Sequence, residues 1–119
     1  MPAPNARLHR WDEIALEKVT EMVSHKVVAG ERQMLAQSYL KRGALVPMHG
    51  HQSEQMTYVL QGTLRFFVGG EEITVREGEV LHIPPGLDHQ AEALEDTLAL
   101  DVFNPIRTEW LEGRQRTED

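Results

Sequence analysis

The sequence predicts an all-β fold, a single small barrel or sandwich of antiparallel strands. Short runs rich in Val, Ile, Leu, Phe and Tyr recur through the middle of the chain, and each ends in a glycine or proline turn. The chain has 119 residues, the usual size of one domain, which leaves little material for a second core.

Strands are expected over residues 19–28, 33–40, 56–60, 63–68, 72–75, 80–83, 89–93 and 97–103. Their separators are Ala29-Gly30, Arg42-Gly43, Gln61-Gly62, Gly69-Gly70, Glu77-Gly78 and Pro84-Pro85-Gly86. Gly69-Gly70 is the clearest hairpin turn, because glycine reaches the positive φ values that two-residue hairpins need. Only residues 11–17 and 108–112 read as helical, and both stretches are short. Residues 1–119 form one domain, in which 1–10 and 112–119 are polar, loosely held ends.

Composition excludes several function classes. The charged fraction is 26%, and no apolar run is long enough to cross a bilayer. A net charge of −7 argues against nucleic acid and anionic lipid as partners, since both call for a basic face. The first residues carry Arg7, Arg10, Asp12, Glu13 and Glu17 and lack the apolar centre of a secretory signal, so a cytoplasmic location is expected. With no cysteine, any metal ion must be held by nitrogen and oxygen donors.

The chemistry-bearing residues cluster in two segments. In an extended chain side chains alternate between faces, so His49 and His51 share a face and can grip one ion. Gln55 can return a third donor if the chain turns at Gln52-Ser53-Glu54, although Glu54 beside it is an alternative donor. Taken alone, such a histidine pair could be no more than the polar edge of a strand. A further histidine, His89, follows the tight turn Pro84-Pro85-Gly86, which an antiparallel barrel can carry beside the first pair.

The two segments resemble the paired motifs of the cupin superfamily. Motif one, residues 43–62, has Gly43, five residues, His49-x-His51, three residues, Gln55, six residues and Gly62. Motif two, residues 78–93, has Gly78, five residues, Pro84-x-Gly86, two residues and His89, with fifteen residues between the motifs. The resemblance implies a double-stranded β-helix, or jelly roll, with one divalent metal ion on His49, His51, Gln55 and His89. Nickel, zinc, iron, cobalt and manganese all suit such donors. Gln55 stands where cupins usually carry glutamate, and Ala93 where motif two usually ends in asparagine. Three imidazoles and an amide leave the ion's charge uncompensated, which favours an anionic ligand.

A second constellation lies near the C-terminal end. Asp101 and Phe103 share a face by alternation, and Arg107 follows the strand-breaking Asn104-Pro105. From spacing alone, Asp101 and Arg107 could equally form a surface ion pair with Phe103 in the core. The HxHxxxQ motif together with DxFxxxR resembles the KdgF family of small cupins, over about residues 11–110. That family converts 4,5-unsaturated monouronates from pectin or alginate breakdown into linear 5-keto-4-deoxyuronate. The resemblance implies that Asp101 acts as base and acid, that Phe103 lines the sugar, and that Arg107 binds the substrate carboxylate or orients Asp101. It also implies a homodimer. Two other readings stand beside it: a cupin dioxygenase of the quercetinase kind, and a non-catalytic metal-bearing module that binds a sugar or organic acid.

The remaining candidates read as structural. His9 and His25 are expected at the surface, and His82 either buried or lining the pocket. Met34, Met48 and Met56 are expected to fill the core or its rim, and Tyr58, Phe66 and Phe67 to pack.

Overall fold

The computed structural model describes residues 5–111. After a short 3-10 turn at Trp11–Glu13 come ten strands: β1 Glu17–Lys18, β2 Val23–Ala29, β3 Met34–Leu40, β4 Leu45–His49, β5 Glu54–Gln61, β6 Thr63–Val68, β7 Glu71–Arg76, β8 Val80–Ile83, β9 His89–Ala93 and β10 Thr97–Asn104. They form two antiparallel sheets, one in the order β1-β2-β3-β10-β5-β8 and the other β4-β9-β6-β7. This is the jelly-roll architecture expected from the sequence.

Alternation within the strands builds the core. Val59, Leu64, Phe66, Ile83, Ala91 and Ala99 point inward from both sheets and are buried. A second cluster, Val27, Met34, Ala36 and Phe103, closes one end, with Ile106 and Trp110 packed against it. The turn between β6 and β7 is Gly69-Gly70, with φ of 55° and 84°, the backbone that only glycine adopts cheaply in a two-residue hairpin. At Gly62, where φ is 95°, a Cβ would run into the Asp96 carbonyl and the Thr97 hydroxyl.

Several sequence expectations are corrected. The helix expected over 11–17 is only the 3-10 turn, followed by β1, because Glu17 and Lys18 pair with His25 and Ser24 of β2. The strand expected from residue 19 starts at Val23, since Thr20 Oγ1 accepts the backbone N–H groups of Met22 and Val23 and holds a turn there. Residues 108–111 are helical, and the expected ends 1–4 and 112–119 lie outside the described residues. Tyr58 faces outward and is exposed, as are Met48 and Met56.

Candidate metal centre and cavity

The two sheets enclose a cavity of about 420 Å³. His49 and His89 meet at one wall as direct partners across β4 and β9. Strict alternation from inward-facing Val46 would send Met48 in and His49 out. A register shift between Val46 and His49 inserts one residue, and Pro47, which has no N–H to give the ladder, lies within it. The bulge therefore turns His49 inward to face His89.

The donor nitrogens of His49, His51 and His89 all lie within 4.8 Å of one another, an arrangement that can hold a metal ion. Each imidazole is oriented by a backbone carbonyl two residues away. Nδ1 of His49 donates to Pro47 O at 2.8 Å, Nδ1 of His51 to Ser53 O at 2.9 Å, and Nδ1 of His89 to Leu87 O at 2.9 Å. A carbonyl only accepts, so Nδ1 carries the proton and Nε2 presents its lone pair. Burial, followed by the positive charge of Arg107, holds His51 below the usual imidazole range. Burial does the same for His89, aided by His49 and His51.

Two observations test whether these residues suit a cation. His89 Nε2 is buried and has no hydrogen-bond partner among the described residues. Gln55 Oε1 lies 3.0 Å from His51 Nε2, so two lone pairs face one another, a contact that a shared cation relieves. Both fit a metal ion. Glu54, the alternative donor, points the other way: it is exposed, and its Oε2 pairs with His82 Nε2 at 2.6 Å. His82 is thus exposed on β8, neither buried nor lining the cavity, because Leu81 and Ile83 take the inward positions around it.

Asp101 lies on β10 directly opposite Thr57 of β5, and Phe103 opposite Gln55. The Asp101 carboxylate accepts hydrogen bonds from Thr57 Oγ1 at 2.7 Å and Ser38 Oγ at 2.8 Å. Burial pushes the Asp101 carboxyl above its ordinary range, against the pull of those two hydroxyls and of Arg107. Arg107 pairs with Glu109 at 2.9 Å, and its guanidinium lies 5.2 Å from the Phe103 ring and 4.6 Å from the Trp110 ring. The surface pair between Asp101 and Arg107 that spacing allowed is therefore not what the structure holds. Both residues line the same cavity. Phe103 reaches the cavity wall with 1% of its surface exposed, its ring set edge-on against His51 at 5.7 Å.

A cupin domain model (Cupin_2) matches residues 37–103. The chain is a cupin. Among solved structures, KdgF from Halomonas sp. is 31% identical, with a TM-score of 0.78 over 83% of this chain and 94% of that one. An RmlC-like cupin from Shewanella frigidimarina NCIMB 400 is 20% identical, with a TM-score of 0.83 over 89% of this chain and 96% of that one, and shares the fold. The uncharacterized protein MJ1618 of Methanocaldococcus jannaschii is 28% identical over 75 residues, 62% of this chain, and the chain spans 60% of that relative's length.

Four residues of this cupin's cavity escaped the sequence reading. Ser38 was legible in principle, as the one polar residue among the buried positions Met34, Ala36 and Leu40 of β3, and Thr57 as a polar residue two positions from Gln55 on the same face of β5. His25 is not a surface group: it shares its parity with buried Val27, is 8% exposed, and stacks on Trp110 at 4.5 Å. Trp110 also meets the Phe103 ring at 5.1 Å, so the C-terminal turn closes over the DxFxxxR segment. No helix among the described residues is long and apolar enough to cross a membrane.

Proposed function

We propose that this cupin is a metal-dependent isomerase that converts 4,5-unsaturated monouronates from pectin or alginate breakdown into linear 5-keto-4-deoxyuronate. The observation that carries the reading is the buried Asp101 carboxylate, set in one cavity with His49, Gln55, His89 and Arg107. Its likeness to KdgF supports the choice of substrate. His49, His51, Gln55 and His89 would hold one divalent ion. When bound, it supplies Lewis acidity that stabilises negative charge on the sugar's oxygen.

Arg107 binds the substrate carboxylate through its planar fork, exchanging Glu109 for the uronate. Asp101 takes the proton of the C1 hydroxyl; the C1–O5 bond breaks, C1 becomes an aldehyde, and O5 keeps the electron pair as a C5 enolate. Asp101 then returns the proton to C4, C5 becomes a ketone, and the reaction balances as an isomerisation. A carboxyl raised by burial is suited to both halves of that exchange. Phe103 and Trp110 hold the guanidinium in place against their rings.

The test is the absorbance of the unsaturated sugar, followed with unsaturated galacturonate and its alginate-derived counterpart, with and without chelator, beside an oxygen electrode. The reading requires metal-dependent loss of absorbance and no oxygen uptake. Oxygen consumption would instead identify a dioxygenase. Saturable binding at the spontaneous rate of conversion would identify a binding module.

A further inference from the structure

We propose that Thr57 is a positioning residue of the metal centre, whose hydroxyl turns Gln55 so that its amide oxygen faces the histidines. The inference rests on the reading that His49, His51, Gln55 and His89 hold a divalent ion. Thr57 is 1% exposed and sits between two side chains: Gln55 Nε2 donates to its Oγ1 at 2.9 Å, and Oγ1 donates to Asp101 Oδ1 at 2.7 Å.

Counting protons makes this arrangement directional. Thr57 Oγ1 donates its single hydroxyl proton to Asp101 Oδ1, so that proton is already committed. Towards Gln55 the Thr57 oxygen can then only accept, so the amide must present its NH2 group to Thr57 and its Oε1 to His51, 3.0 Å away. Backbone register fixes the geometry, because Thr57 lies opposite Asp101 and two residues from Gln55 on the same inward face of β5.

Removing the hydroxyl frees the amide to rotate. The NH2 group would then point at the His51 Nε2 lone pair and donate to it, a contact more favourable than two facing lone pairs. That hydrogen bond occupies the donor atom a cation needs. Thr57 therefore acts on the metal ion through Gln55 without touching it, and the same hydroxyl ties the ion's ligand to the carboxylate proposed as base. Ser38 donates to the other oxygen of Asp101 and has no bond to Gln55, which makes it a built-in comparison.

The experiment is calorimetric titration of the chelator-stripped protein with zinc and with nickel. Loss of a residue that orients a ligand costs about 10–100-fold in metal affinity, and Thr57→Val is expected to fall in that range. Thr57→Ser, which keeps the hydroxyl, and Ser38→Ala should stay within roughly threefold of the unsubstituted protein. In a Gln55→Ala background, Thr57→Val should add less than about threefold, because the two act as one unit. Thr57→Ala is read in the same way should the valine variant fail to fold. Undiminished binding by Thr57→Val overturns the proposal. So does a loss in Thr57→Ser or Ser38→Ala equal to that in Thr57→Val, or a full loss persisting without Gln55. If the unsubstituted protein takes neither ion, the metal reading itself fails; if it binds and Thr57→Val binds equally, only the role of Thr57 falls.

Discussion

Arg107 is held by Glu109, Nε to Oε1 at 2.9 Å, while Asp101 is left to Thr57 and Ser38. The guanidinium is 13% exposed and the Glu109 carboxylate 55%, so the partner that can be displaced lies on the solvent side. On the proposed function, an incoming uronate would compete with Glu109 for the same fork. Pairs with one exposed partner are worth about 0.2–1 kcal/mol, so Glu109→Gln should lower KM for the uronate by a factor of up to about five and leave kcat unchanged. Arg107→Lys should raise KM, since a point charge replaces a planar fork. Steady-state kinetics on both variants checks this, and an unchanged KM in both would detach Arg107 from the substrate.

Asp101→Asn should keep metal affinity and lose turnover by about 100-fold or more, the scale of a positioned acid and base. Metal titration and the absorbance assay on the same sample measure the two separately. Full activity in this variant would remove Asp101 from the reaction.

The same substitution carries a pH signature in stability. Burial raises the Asp101 pKa in the folded state above its unfolded value, so the folded protein binds the proton more tightly. That stabilisation is fully present below the ordinary carboxyl range and is lost as pH rises through the raised folded value. Thermal unfolding in chelator should therefore show Asp101→Asn gaining on the unsubstituted protein as pH rises above the ordinary carboxyl range. A difference in Tm that does not move with pH would contradict the shift.

Glu54 and Gln55 should separate cleanly. Glu54→Ala breaks an exposed pair with His82 and should leave metal affinity within about twofold. Gln55→Glu adds a negative charge to the donor set, so the ion should bind more tightly and ring opening should slow, because its Lewis acidity is partly cancelled. Calorimetry and turnover on both variants give the result, and a large loss of affinity in Glu54→Ala would exchange the two assignments.

Trp110 is a test of the closed end of the cavity. Its ring stacks on His25, meets Phe103 edge-on and lies under Arg107. Being half-buried, Trp110→Ala should cost about 2 kcal/mol of stability, below the roughly 3–5 kcal/mol of a fully buried aromatic. It should also raise KM, as Arg107 loses its platform. Denaturant unfolding and kinetics together check this, and loss of stability without a change in KM would restrict Trp110 to packing.

The features legible in the sequence were those set by local spacing. Period-two alternation and glycine or proline turns located most of the strands, and the intervals from Gly43 to His89 marked the three histidines whose donor nitrogens come together. These properties depend only on a residue's near neighbours along the chain. Pairings through space were decided by the tertiary structure. The bulge at Pro47 turns His49 inward, and the outward side of β5 sends Glu54 to His82 while Gln55 faces the histidines. Thr57 and Ser38 reach Asp101 across 44 and 63 residues of sequence, and His25 is buried because Trp110 covers it from the far end of the chain. Strand register sets each of these contacts, and register comes from the packing of whole sheets, which no short window of sequence contains.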